Sequence, residues 1–315
     1  MTDMSAPHFH DEEAAREHIE ASRWPNGPYC PYCGVTETVS EFGGKSMGPG
    51  WYWCKDCRRK FTALVGTVME RSHIPLNKWL LAMHLLCSSK KGMSAHQLHR
   101  MMGITYKSAW FMAHRIREAM RDLYPEGSGP LGGEGKTVEI DETFVGGKEK
   151  NKHASKRKHV GTGGAGKEAV FSLVERKGKV RSHHVPEVTA NTLRPILAAH
   201  VEGKTYVMTD EGAVAKKIGG EFASHRTVNH SIGEYVRGDI HTNTIESYFA
   251  VLKRGIIGTY HHISQQNLKR YLCEFDFRYN ERTALEVTDA ERAAKVVRGT
   301  VGKRVTYQEA NRAHA

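Results

Sequence analysis

Four of the six cysteines occur as two pairs whose spacing is typical of a metal site. Cys30 and Cys33 form the first pair, Cys54 and Cys57 form the second, and residues 34–53 separate them. In a structural zinc site of this pattern, each pair forms a tight turn that aims two thiolates at one tetrahedral ion. The alternative is a pair of disulfides or a chance spacing. This pattern predicts a small zinc ribbon. Because such a ribbon buries little apolar surface, we expect zinc to supply much of its folding energy.

Three acidic residues in the second half of the chain indicate a different kind of metal site. Asp141 closes the apolar part of one predicted strand, and Asp210 ends another. A carboxylate at the end of a buried strand is costly without a cation or a donor, and two on neighbouring strands suit a hard metal ion. Glu246 lies on a predicted helix with Asn243 and Lys253 on the same face. The alternatives are turn-forming or capping aspartates, and a capping box between Asn243 and Glu246.

The spacing of these residues resembles the DDE signature of transposases and integrases. Thirty-five residues (211–245) separate Asp210 from Glu246, and Lys253 follows two helical turns later. Short motifs around these residues resemble a narrower group of transposases: EIDETFVGGK (139–148), NTIES (243–247), LKRG (252–255) and GTYH (258–261). Together with the cysteine pairs, they are similar to the bacterial insertion-sequence transposases of family fifteen-ninety-five, over roughly residues 24–280.

This resemblance implies an α/β fold with a ribonuclease-H-like catalytic core that cuts the ends of an insertion sequence and joins the 3′-OH to target DNA. It implies two Mg²⁺ ions per active site, replaceable by Mn²⁺, held by Asp141, Asp210 and Glu246. Lys253 would contact the DNA near the cut. Some relatives carry Asn instead of the Glu, so Asn243 stays an alternative ligand.

The same resemblance implies the partners. We expect double-stranded DNA, as transposon-end inverted repeats and as target, and a homodimer or larger assembly on that DNA. The alternative function is a sequence-specific DNA-binding regulator, derived from a transposase, whose core is inactive.

Residues 74–123 carry apolar side chains at helical spacing and predict a helix-turn-helix-like region. Ser94 and Thr105 are predicted N-caps, and Gly103 lies where such a motif bends. The second helix of this motif enters the major groove, so Lys107 and Arg115 are candidate DNA contacts. The alternative is a packed helical hairpin with a charged outer face.

Two loops follow the strand that contains Asp141. The first is strongly basic, which suits a DNA backbone or simply a solvated loop; its candidate DNA contacts are Lys148, Lys152, Lys156, Arg157 and Lys158. The second, residues 161–167, matches the glycine pattern of a phosphate-binding loop. Glu168 replaces the required hydroxyl residue, and a strand rather than a helix is predicted to follow. We therefore predict a glycine loop between two strands.

Composition places these sites in a basic, multidomain chain. The 315 residues have a formal net charge of +11, which favours a polyanionic partner. With no membrane-length apolar span and no secretory leader, we expect a cytoplasmic, nucleoid-associated bacterial protein. The predicted order is a helical arm (1–23), a zinc ribbon (24–70), a helix-turn-helix-like domain (71–124), a linker (125–135), the catalytic domain (136–285) and a tail (286–315).

Overall fold

The computed structural model describes residues 4–44, 47–121, 129–147, 153, 155, 164, 166–210, 221–228, 232–234 and 236–306. The chain divides into two compact units, one formed by Met1–Leu123 with Glu286–Ala315 and the other by Tyr124–Leu285. Within the described residues, no helix combines the length and the apolar character needed to cross a bilayer.

The first unit combines a small antiparallel sheet with helices. Its elements are α1 (Glu12–Arg23), β1 (Val39–Glu41), β2 (Tyr52–Cys54), β3 (Arg59–Phe61), α2 (Leu76–Ser88), α3 (Ala95–Met102) and α4 (Tyr106–Met120). The strands pair in the order β1-β2-β3. One side of this sheet is buried, because Tyr52 and Phe61 pack their rings against Trp24, with centroid distances of 5.0 and 6.0 Å.

Local sequence determines where the helices of this unit begin. The side chain of Ser94 accepts the backbone N–H of Gln97, and that of Thr105 accepts the backbone N–H of Ser108. Between them Gly103 has φ of 59°, a left-handed conformation that glycine adopts without steric cost. The two predicted N-caps and the predicted bend are thus confirmed.

The second unit is a mixed α/β layer structure. Its elements are β4 (Thr137–Val145), β5 (Glu168–Glu175), β6 (Val180–Val185), α5 (Ala190–His200), β7 (Tyr206–Thr209), β8 (Ser224–Thr227), β9 (Val236–Arg237), β10 (Ile240–His241), α6 (Asn243–Gly255) and α7 (Gln265–Asn280). The main sheet has the order β6-β5-β4-β7-β8. Strands β6, β5 and β4 run antiparallel, whereas β4, β7 and β8 run parallel. Strand β5 begins at Glu168, which confirms a strand after the glycine loop.

Each face of this sheet has its own apolar cluster. Leu193 and Leu197 of α5 pack with Val138 and Ile140 of β4. On the opposite face, residues of α6 and α7 pack against Val170 and its neighbours on β5. The apolar stripe predicted for α6 is confirmed, because all four of its members are buried: Ile245, Phe249, Leu252 and Ile256. The odd-numbered residues of β4 therefore face α6.

The end of the chain returns to the first unit as helix α8 (Asp289–Arg298). A capping box starts it: Thr288 accepts the backbone N–H of Glu291, whose side chain accepts the backbone N–H of Thr288. Arg292 is buried and donates to the carbonyl of Cys87 at 2.7 Å. The predicted tail thus includes an ordered helix that packs on α2.

Candidate functional site

The four paired cysteines converge on one point. Their Sγ atoms all lie within 4.8 Å of one another, with Cys30 and Cys57 at 3.5 Å and Cys33 and Cys54 at 3.6 Å. A tetrahedral zinc ion with Zn–S bonds of about 2.3 Å needs sulfur atoms about 3.8 Å apart. All four are free thiols rather than disulfides. The cysteines are therefore arranged for zinc binding, and this is the one such cluster of ligands among the described residues.

Two of the three predicted acids lie close together where the pairing of β4 with β7 ends. Asp141 lies in β4, and Asp210 directly follows β7. The parallel register pairs Glu139 with Met208, and two further residues along each strand bring Asp141 beside Asp210 on the same face. Burial, followed by the negative charge of Asp210, raises the pKa of Asp141 to about 7. Such close carboxylates repel one another, and a bound cation relieves that repulsion.

The third acid reaches the same region from the helix that covers this face. Glu246 is exposed near the start of α6, and its charge contributes to the raised pKa of Asp141. Asn243 and Lys253 are also exposed on that side of the helix. The alternative capping box is not formed, because the N-cap is Thr242 rather than Asn243. The hydroxyl of Thr242 donates instead to Glu246 Oε1 at 2.9 Å, which orients that carboxylate.

A fourth carboxylate, which the sequence analysis did not single out, joins the strand to this helix. Glu139 lies two residues before Asp141 on the same face of β4 and is completely buried. Its Oε2 accepts the backbone N–H groups of Thr244 and Ile245 at 2.8 and 3.0 Å, and its Oε1 accepts the Thr244 hydroxyl at 2.8 Å. These are the N–H groups that the first turn of a helix leaves without intrahelical partners. Glu139 therefore caps α6 from β4, and the acid opposes the positive end of the helix dipole.

The buried charge of Glu139 is neutralised by one arginine. Arg176 donates from Nε to Glu139 Oε1 at 2.6 Å. Its other nitrogens donate to the backbone carbonyls of Asp239 and His241, at 2.7 and 2.8 Å. Arg176 thus holds the β9–β10 hairpin and Glu139 together, and that hairpin leads directly into α6.

The predicted DNA contacts of the helical region have different environments. Lys107 is exposed near the start of α4. Arg115 is half-buried and donates to the carbonyls of Glu70 and Val305, both at 3.3 Å, while its guanidinium stacks on Phe111. Arg115 is therefore engaged in holding its own unit together. The predicted contacts of the basic loop lie outside the described residues: Lys148, Lys152, Lys156, Arg157 and Lys158.

Two family models match parts of the chain. Residues 130–280 match a family model described as an ISXO2-like transposase domain. Residues 10–60 match a transposase zinc-ribbon domain. The chain is also 33% identical over 282 residues to an uncharacterized protein in transposable element ISH50 of Halobacterium salinarum, an alignment that covers 86% of this chain and 91% of the relative.

Proposed function

Because the chain belongs to the insertion-sequence transposases that have an ISXO2-like transposase domain and a zinc ribbon, we propose that it cuts the ends of an insertion sequence and joins the freed 3′-OH to target DNA. The observation that carries this proposal is the grouping of two acids where β4 and β7 separate with a third acid on the helix that covers this face. Asp141 lies beside Asp210 in the register of β4 and β7, and the negative charges of Asp210 and Glu246 both raise its pKa.

The three carboxylates fit Mg²⁺, because their ligand atoms are all oxygens. When bound, two such ions activate the attacking oxygen and stabilise the leaving oxygen at phosphorus. Asp141, which feels the charge of both other acids, would contribute to both ion positions. Asp210 would complete one position and Glu246 the other. Asn243 remains a weaker candidate, because the hydroxyl of Thr242 orients Glu246 instead.

Other residues of the chain would hold the DNA. Lys253 is exposed on α6, two helical turns after Glu246, and would contact a phosphate or base near the cut. The zinc ribbon, Lys107 and the basic loop would bind the inverted repeats. A ribonuclease-H-like core is supported by the mixed five-stranded sheet that carries the two aspartates. Because two transposon ends must be held together, we expect at least a dimer on DNA.

The direct test is cleavage of a duplex that carries the inverted repeats flanking the coding sequence, with Mg²⁺ or Mn²⁺ added. We expect cleavage by the unmodified chain and loss of at least about 10²-fold in each of Asp141→Ala, Asp210→Ala and Glu246→Ala. Asp239→Ala is a matched control, because this acid is 76% exposed and its side chain pairs with Arg226 of β8 at 3.9 Å. It should keep its activity.

Two results would contradict the proposal. Cleavage that survives all three alanine substitutions would show that the acids are not the metal ligands. Binding of the repeats without cleavage, under either metal ion, would instead favour a DNA-binding regulator with an inactive core.

A further inference from the structure

The zinc ribbon has one side that is covered and one that is exposed. In the register of its strands, Trp53 of β2 lies opposite Ser40 of β1 and Lys60 of β3, so these three side chains lie on one side of the sheet. Tyr52 and Phe61 alternate with them and belong to the buried side. We call this exposed side, together with Tyr32, Arg58 and Arg59 next to it, the outer ribbon face.

The outer ribbon face forms an open groove of about 520 Å³. Its described lining consists of four aromatic or apolar residues and three cations, with no acid among them: Tyr32, Phe42, Met47, Trp53, Arg58, Arg59 and Lys60. The acid of β1, Glu41, lies opposite Tyr52 and therefore on the other side of the sheet. The groove therefore combines apolar surface with purely positive charge.

The aromatic rings of this face are available to a ligand. Tyr32 and Phe42 keep 45% and 40% of their surface exposed, although aromatic residues of a ribbon core are normally covered. Phe42 and Trp53 lie 5.8 Å apart at an interplanar angle of 35°. The guanidinium of Arg59 stacks on one face of Tyr32 at 4.9 Å. The result is a row of flat surfaces with cations beside them.

We propose that the outer ribbon face binds single-stranded DNA, with unpaired bases stacked on the aromatic rings and the phosphates on the cations. Proteins that bind single strands without sequence preference combine these two features, because every base has a π-face and every linkage has a charge. A duplex keeps its base faces inside the stack and offers such rings only its backbone and groove edges. An acidic protein segment would satisfy the cations but leave the rings exposed.

Binding at this face needs neither Mg²⁺ nor the three acids, so it does not depend on the catalytic proposal. It also gives the ribbon a task that a duplex-reading module does not have, which is to hold strands whose bases are unpaired.

The test is binding of the zinc-loaded full chain to a labelled oligothymidine strand, without Mg²⁺, with a mixed-sequence duplex of equal length as competitor. Trp53→Ala and Tyr32→Ala should each weaken single-strand affinity about tenfold, because stacking contributes about 1–3 kcal/mol per base. Duplex affinity should change less than twofold. Lys60→Ala should reduce the salt dependence of single-strand binding by about one phosphate contact.

Two controls separate this effect from misfolding. Zinc content must stay unchanged in every variant, since Tyr32 lies between two zinc ligands and Trp53 directly precedes a third. Tyr206→Ala removes an equally exposed tyrosine, at 43%, from the other unit and should leave both affinities unchanged.

Three results would overturn the inference. If Lys60→Ala weakened binding while Trp53→Ala and Tyr32→Ala did not, the face would contact phosphates alone and no bases. Equal losses for single strand and duplex would show that stacking is not involved. A loss of the same size in the Tyr206 variant would place the effect outside the ribbon.

Discussion

Replacing Glu139 with glutamine should uncouple the helix that carries Glu246 from the strand that carries Asp141. The carboxylate of Glu139 accepts two helix N–H groups, one hydroxyl and the Arg176 Nε–H. An amide of the same shape keeps one acceptor oxygen, but it turns an NH₂ group toward these donors. It also removes the negative charge that pairs with Arg176. The start of α6 would then shift away from β4.

The size of the effect can be worked from these contacts. Breaking a buried ion pair by removing one partner costs about 3–5 kcal/mol. At about 2–4 °C per kcal/mol for a domain of this size, the melting temperature of the second unit should fall by about 6–20 °C. Residues that orient a metal ligand without touching the metal typically change metal affinity or activity by about 10–100-fold. We therefore expect Glu139→Gln to raise the Mg²⁺ concentration at half-maximal cleavage by about that factor.

Asp276→Asn provides the matched control for lost stability. Asp276 is a half-buried carboxylate of the same unit, and it accepts the backbone N–H and hydroxyl of Ser182 and the hydroxyl of Tyr248, at 2.7, 2.7 and 2.5 Å. It contacts α6 through Tyr248, in the middle of the helix rather than in its first turn. Losing one acceptor there should cost about 1–3 kcal/mol but leave the Mg²⁺ midpoint unchanged.

The assay is DNA cleavage as a function of Mg²⁺ concentration, at a temperature where all variants remain folded. If Glu139→Gln lowers the melting temperature yet keeps the wild-type Mg²⁺ midpoint, Glu139 serves stability alone. If Asp276→Asn shifts the midpoint equally, the effect is general loosening of the fold. Absence of cleavage in the unmodified chain would contradict the proposed function rather than this reasoning.

Three further outcomes follow from other contacts. Cys30→Ser should abolish binding of about one zinc per chain in metal analysis, whereas Cys87→Ser should retain it, because Cys87 lies outside the ligand cluster. Burial and the imidazole of His200 lower the pKa of His183 to about 4, so the folded state favours the neutral form of this residue. The free energy of unfolding should therefore be highest above pH 6.5 and fall by up to about 3 kcal/mol toward pH 4. His183→Gln should reduce this dependence of the free energy of unfolding on pH, measured by urea unfolding. Arg292→Met should lower the thermal stability of the first unit by about 1–3 kcal/mol, measured by calorimetry, without changing zinc content, because the Cys87 carbonyl loses a buried charged donor.

Features set by local spacing could be predicted from the sequence. Each of these features depends on residues that are close together in the sequence: the two C-x-x-C pairs, the N-caps Ser94 and Thr105, and the buried stripe of α6. The mixed α/β class could be predicted for the same reason, since strands and helices alternate with clear apolar periodicity. The family resemblance likewise depended on short words and one spacing.

The contacts that hold the candidate site together could not be predicted in this way. Glu139 lies between Val138 and Ile140, so the alternation of apolar and polar residues predicts that it faces solvent in a half-buried strand. Only the chain topology brings the start of α6, more than a hundred residues later, against that face. The same topology supplies Arg176 from the end of β5. A buried acid between apolar neighbours in a strand is a signal worth testing, because such a charge is stable only with a cation or a helix N-terminus beside it.

The position of Glu139 also bears on how the three acids work together. Glu246 belongs to a helix whose side chains pack on the sheet through apolar contacts, which allow sliding and rotation more readily than hydrogen bonds do. The hydrogen bonds from Thr244 and Ile245 to Glu139 are directional, and they fix the first turn of that helix at a point two residues away from Asp141. Glu246, one residue beyond Ile245, therefore has its distance to Asp141 set by the strand itself. A metal site that spans a strand and a helix needs such a tie, because misplacement by about 1 Å can cost about 10²-fold in rate.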